Sequence, residues 1–414
     1  MSQRFRALAP LMAGLLLLAQ HPNPAAGDHG GRPIGSLLSC ERPGVSPSRC
    51  TSVADNLRHH VYFDQTLTDG LASALRATMA EDYDPTDLVL IEQAEVTPAT
   101  DVIAYSEDYG DNGAAGWVYC PTDAPQGTNA RGDRWCRMQE MHFNLNPRFA
   151  AFFDDAVSRD HITCHELGHT VGLRHWGNPP VTEGPTAETC MTGNTPNGPT
   201  GLDQIDRDHI NAYPYAALLP ARRGFVIVRA PGDQAGAVAS AWSSAVAEAA
   251  ELEHFGSLPE MTRSADAVVR GTVMAVAAGR AFGGASGNAF HYAAATLRVD
   301  EVIAGELPER HAAELTLELP LFDGPDSIAA MQTALPEVEG IFFLRNKGAS
   351  AWAAGMSPAE QLSEAEFYRL VVLSGVVLND AGQAALPPGD SEFLAALSGL
   401  PFDDVIRRAR SANS

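Results

Sequence analysis

Lysine is almost missing from this chain. Lys347 is the only one, so the 28 basic residues are nearly all arginine, set against 51 acidic residues for a net charge of −23. A surface of that sign repels nucleic acid and anionic lipid and keeps a protein in solution. Long apolar runs are scarce too. The run near the N-terminus, "ALAPLMAGLLLLA", is shorter than the roughly 20 residues a membrane-crossing helix needs, and no later stretch supplies them. Cysteine does not occur after residue 190, so the C-terminal half is held together by its core alone. Neither a GxSxG elbow, a phosphate-binding glycine loop nor a dinucleotide fingerprint is present, and no internal repeat is seen.

Arg4 and Arg6 precede the apolar run, and a small-residue stretch, "HPNPAAGDHG", follows it. That is the pattern of a secretory signal peptide over residues 1–26. An extracellular or periplasmic protein with no transmembrane segment in its mature form is expected. The six cysteines, Cys40, Cys50, Cys120, Cys136, Cys164 and Cys190, form an even set, which in an exported chain favours disulfides over free thiols. Pairing each with its nearest neighbour closes three short loops, and that set is favoured among the alternatives.

With 414 residues, 45% of them hydrophobic, the chain is long enough for more than one domain. Residues 27–54 carry no apolar period and read as a loop or short pro-segment. In "LTDGLASALRATMAEDY", Leu67, Leu71, Leu75 and Met79 recur at four-residue steps, one stripe of a helix. "DLVLIEQAEV", "TDVIAYSED", "AGWVYC" and "MHFNLN" read as strands. In the last, Met141, Phe143 and Leu145 alternate with His142 and Asn144, so one face goes to the core. A helix, several strands and then a helix over residues 55–216 imply an α+β domain. Residues 217–259 contain an alanine-rich stretch, 234–256, read as a helical linker. From 260 to 414, five strand candidates without cysteines suggest a small barrel or sandwich, closed by the helix "SEFLAALSGLPFDDVIRRAR".

Chemistry concentrates in "TCHELGHTVGLRHW", residues 163–176. His165 and His169 are four apart, so on a helix both rings lie on one face and can grip one metal ion. Glu166 beside them is suited to moving a proton rather than to ligation. His161 shares the stripe, but eight residues of helix rise about 12 Å, so it and His169 cannot both reach one ion. Gly172 can adopt the left-handed conformation that ends a helix and turns the chain, which would bring His175 back as a third ligand. Three neutral imidazoles leave a fourth position for water, the arrangement of a catalytic zinc rather than a closed structural one.

"HELGHTVGLRH" resembles the HExxHxxGxxH signature of the metzincin zinc endopeptidases. Met191 in "CMTG" resembles the methionine of the family's tight turn beneath the metal, and "LDQIDRDHINAYP" its closing helix. Gly193 stands where some metzincins carry a tyrosine two residues after that methionine, so the likeness is to matrixin-like or small bacterial secreted forms. The resemblance spans residues 55–216. It implies zinc held by His165, His169 and His175, Glu166 as the general base toward a metal-activated water, and a protein or peptide as substrate. It also implies an edge strand that pairs with extended substrate. That role would fall to Gly116, Trp117 and Val118 in "AAGWVYC", which reads equally as an ordinary core strand.

Other readings stand beside these. A bridge between Cys164 and Cys190 would tie the methionine turn to the zinc helix. Cys50 in "PSRCTSVAD" lacks the glycine and proline of a matrixin cysteine switch and has Cys40 as a partner. "SEDYGDNGAAG" offers Glu107, Asp108, Asp111 and Asn112 as oxygen ligands for Ca2+, or is a solvated acidic loop. Arg131, Gly132 and Asp133 form an integrin-type tripeptide that also arises by chance. The alternative to a secreted peptidase is a surface- or partner-binding protein in which the zinc domain is an inactive scaffold. The C-terminal domain would then bind the partner; in a peptidase it would instead be free to cover the cleft.

Overall fold

A computed structural model describes residues 52–121, 123–128, 134–173, 189–192, 198–213, 215, 238, 242, 249–251, 253, 255–284, 289–322, 325–387 and 392–412. The signal peptide, the N-terminal segment with Cys40 and Cys50, the Arg131-Gly132-Asp133 tripeptide and His175 lie outside the described residues. Helices and sheets are mixed. Among the described residues no helix is long and apolar enough to cross a membrane.

The first sheet runs in the order β2-β1-β3-β7-β4-β8. Its strands are β1 (Arg58–Phe63), β2 (Val89–Gln93), β3 (Val102–Glu107), β4 (Ala114–Tyr119), β7 (Gln139–Asn144) and β8 (Ala249–Glu251), with a small hairpin of β5 (Gln126–Thr128) and β6 (Arg134–Cys136) set apart. The strands β1, β2, β3 and β7 are mutually parallel, whereas β4 is antiparallel to β7, and β8 to β4. His59 and His60 lie within β1.

On one face of the sheet pack α1 (Asp69–Thr78), α2 (Ala150–Asp154) and α3 (Ala156–Thr170). Thr68 caps α1 by accepting from the Leu71 N–H, and Leu67, Leu71, Leu75 and Met79 all enter the core with Val61, Val102, Met141, Phe143, Ile162 and Leu167. The chain continues through a π turn, Met79–Tyr83, which sets the Tyr83 hydroxyl to donate to the Cys164 carbonyl (2.9 Å). Asp155 caps α3 from the Ser158 N–H (2.7 Å).

Met141 and Phe143 enter this core as expected, and the opposite face of β7 is buried as well. His142 and Asn144 are buried as deeply as Met141 and Phe143. A second apolar layer of Tyr109, Ala114 and Trp117 meets Phe290, Tyr292, Phe322 and Leu373 there. The alternation in β7 therefore marks two cores of different chemistry rather than core and water.

Those partners come from a barrel. The strands β9 (Ala267–Phe282), β10 (Phe290–Gly305), β11 (Glu314–Pro320), β12 (Glu339–Asn346) and β13 (Phe367–Leu370) close on themselves, because β13 pairs with β11 on one side and β12 on the other. Its interior holds Val269, Val273, Leu297, Leu317, Leu344 and Trp242. "YRLVVLSGVVL" is two strands, β13 and β14 (Val376–Asp380), separated by a turn at Gly375, and β14 carries β15 (Gln383–Ala385). The closing helix is also two pieces, Glu392–Ala395 and Phe402–Ser411; Gly399 at φ 76° and Pro401 break it.

Of the alanine-rich stretch 234–256, Val238 and Trp242 are helical but Ala249–Glu251 is strand β8. An unfilled sheet edge outweighed helix propensity at these alanines, since propensity amounts to only a few tenths of a kcal/mol per residue, roughly.

Candidate active site

The site is assembled on the last two turns of α3. His165, Glu166 and His169 are all buried, Glu166 completely. The Nδ1 atom of His165 is 2.7 Å from the Cys190 carbonyl oxygen, and Nδ1 of His169 is 2.9 Å from that of Leu173. A carbonyl only accepts, so each Nδ1 carries the proton and each Nε2 presents a lone pair. The two Nε2 atoms lie 3.1 Å apart, with the rings edge to face. Two nitrogens bound to one ion at about 2.0–2.1 Å with tetrahedral geometry stand roughly 3.3 Å apart, so the pair fits zinc. Carbonyls holding the far nitrogen are also the usual outer support of metal-binding histidines.

Backbone turns supply both carbonyls. At the end of α3, Gly172 has φ 98°, and the Leu173 N–H returns to the Gly168 carbonyl (2.9 Å). That reversal is what points the Leu173 carbonyl at His169, and a side chain at 172 would strain it. Cys190 is fixed by a disulfide to Cys164, the residue before His165. Cys120 and Cys136 form a second disulfide, and among the described residues no cysteine is free.

Met191 follows Cys190 and packs its sulfur under α3. A Cβ at Gly168 would collide with the Met191 Sδ and stand 3.1 Å from the Tyr83 hydroxyl. Glycine at 168 is therefore the seat of the methionine. Gly168→Ala is expected to push Met191 away from the helix and to weaken metal retention by about ten-fold or more, the scale of disturbed outer-shell support. Competition with a chromophoric zinc chelator measures it; unchanged affinity would show that the Met191 contact does not shape the site.

The C-terminal end of α3 is pinned from the sheet. The Gln139 amide donates to the Thr170 carbonyl (2.8 Å), and the Thr170 hydroxyl donates to the Leu167 carbonyl (2.7 Å). With its proton so committed, that hydroxyl accepts from His59 Nε2 (2.9 Å). Burial, and secondarily His60, pushes the His59 pKa down to about 3, so His59 is a neutral strut. His161, which helix geometry removed from the ligand set, has Nδ1 at 2.6 Å from the Pro199 carbonyl.

Strand β4 runs beside Glu166. A Cβ on Gly116 would stand 2.8 Å from Glu166 Oε1, so any larger residue there would force the Glu166 side chain to shift. Val118 is half-buried against the same core. Trp117 is fully buried. Its indole is on the other face, stacked on His142 (centroids 5.0 Å apart) and against Phe290 and Phe322 at the barrel contact.

The acidic loop is largely buried at Glu107, Asp111 and Asn112. Asp111 is buried, where desolvation alone would raise its pKa. Arg369 (3.0 Å), Arg148 (3.4 Å) and Lys347 overcome that and hold it well below the usual carboxylate range. Asn112 Oδ1 accepts from the Ala114 N–H and from Asn144, and Asp108 Oδ1 from the Gly110 N–H and Asn146. The Glu107, Asp108, Asp111 and Asn112 set expected to offer calcium ligands therefore includes three members committed to protein donors. Among the described residues no group of three His, Cys, Asp or Glu side chains is placed to hold a metal; His175 is not one of them.

Sequence reasoning missed the carbonyls of Cys190 and Leu173, because a backbone acceptor carries no residue signature. It also missed the Thr170, Gln139 and His59 lock, whose members are far apart in the chain. No family model and no curated protein matches the chain. Among solved structures it is similar to high choriolytic enzyme 1, a hatching enzyme zinc-protease from Oryzias latipes (medaka fish), at 12% identity and a TM-score of 0.24, over 44% of this chain and 97% of that chain.

Proposed function

We propose that this chain is a secreted zinc-dependent endopeptidase that hydrolyses peptide bonds in proteins. One observation supports this above the rest: two imidazoles, each with its Nδ1 proton held by a carbonyl, aim Nε2 atoms at a common point 3.1 Å across, next to a buried glutamate. His165, His169 and His175 would hold the metal. Zinc there would supply a Lewis acid for the peptide carbonyl and lower the pKa of water.

The chain's own groups do the rest. Glu166 takes the proton from the attacking water and delivers it to the leaving amine nitrogen. Gly116 lets β4 run close enough to Glu166 for a peptide lying along that strand to present its scissile bond there. Met191 and the Cys164–Cys190 disulfide keep His165 oriented. Export through a signal peptide over residues 1–26 accords with the two disulfides.

Cleavage of an unfolded protein by the full chain, with and without a zinc chelator, tests the proposal. Hydrolysis should stop on chelation and return when zinc is added back. Cleavage that persists in the metal-free protein would contradict it.

A further inference from the structure

The outer edge of β4, along which an extended peptide would reach the proposed site, is already paired. Strand β8 lies antiparallel on it with Ala114 opposite Glu251, Gly116 opposite Ala250 and Trp117 opposite Ala249, the register shifting at Ala115. Ala250 therefore faces Gly116, the β4 glycine that lies against Glu166. β8 also touches α3.

Nothing in the three residues "AAE" favours a strand by itself, since alanine is depleted in sheets and favoured in helices. The segment is held from both ends. Trp242, before it, is buried in the barrel interior beside Phe342. Glu253, after it, accepts from Arg345 of β12 (2.9 Å) and from Arg148 of the first unit (3.2 Å). The barrel thus lays its own leading segment across the cleft edge.

We propose that β8 is a built-in substrate mimic: Ala249–Glu251 occupies the β4 edge that extended peptide substrates use, and holds the full chain in a low-activity state until the segment is displaced or cut. This inference rests on the peptidase reading above. The composition suits the role. Two alanines attach by backbone hydrogen bonds while their methyl groups are too small to fill a specificity pocket, so a longer peptide that makes both kinds of contact can displace them.

Successive N–H groups of a strand point to opposite sides. Replacing both Ala249 and Ala250 with proline therefore removes whichever one faces β4, and neither residue belongs to the catalytic machinery. The double variant A249P/A250P and the wild-type full chain are compared on a labelled extended peptide, alongside hydrogen exchange of the amides of 114–119. If the segment covers the edge nine-tenths of the time, freeing it should lower KM about ten-fold with little change in kcat. Exchange at 114–119 should quicken, and chelation should still abolish both activities. Should the proline variant not fold, Glu253→Gln loosens the anchor without touching the ladder and should shift KM and exchange in the same direction.

Faster exchange with unchanged KM overturns the inference and leaves the peptidase reading standing, because the wild type still cleaves. Unchanged exchange with unchanged KM overturns it as well, since the edge is then not held by β8 in solution. Faster exchange with no chelator-sensitive cleavage by either chain overturns both readings together.

Discussion

Glu166→Gln is expected to cut kcat by about a hundred- to ten-thousand-fold, the span that a positioned acid–base group contributes. The amide has the shape of the carboxylate, so it should sit in the same buried place beside Gly116 and leave the metal bound. It cannot accept the proton of the attacking water. Steady-state hydrolysis with zinc content measured on the same sample checks both halves. A variant that cleaves at the wild-type rate would remove Glu166 from the mechanism, and one that loses zinc would make it a ligand or a structural prop.

Replacing Cys164 and Cys190 together with alanine should have the largest effect on stability. The bridge spans a sequence separation of 26, and loss of such a link costs roughly 2–4 kcal/mol, which for a unit of this size lowers Tm by about 5–15 °C. A second effect is local. Cys190 supplies the carbonyl that orients His165, and Met191 follows it onto Gly168. Zinc affinity should therefore fall by about ten- to a hundred-fold, even at temperatures where the variant is folded. Thermal melting and zinc titration separate the two. A lower Tm with unchanged zinc affinity would mean that the disulfide stabilises the fold without positioning His165.

Much of the site was legible in the sequence because its signals are local. The four-residue spacing of His165 and His169 and the glycine at 172 each act within a turn or two of chain, and short-range geometry is what spacing encodes. Leu67, Leu71, Leu75 and Met79 named the buried face of α1 for the same reason. What was not legible depends on residues far apart in sequence. The alternation of His142 and Asn144 with Met141 and Phe143 marks one core face, but not the barrel more than a hundred residues downstream that covers the other. Ala249–Glu251 looks like helix until the β4 edge is at hand to pair with it. Asp111 looks like a calcium ligand until Arg369 is placed 3.0 Å away.

The proposed activity depends on a single zinc ion gripped by imidazoles at the end of α3. X-ray absorption at the zinc edge, with metal stoichiometry on the purified full chain, tests it most directly. One zinc per chain is predicted, with a shell of three imidazole nitrogens and one oxygen from a non-protein ligand. A chain without stoichiometric metal, or a zinc whose shell is filled by four protein ligands, would contradict it.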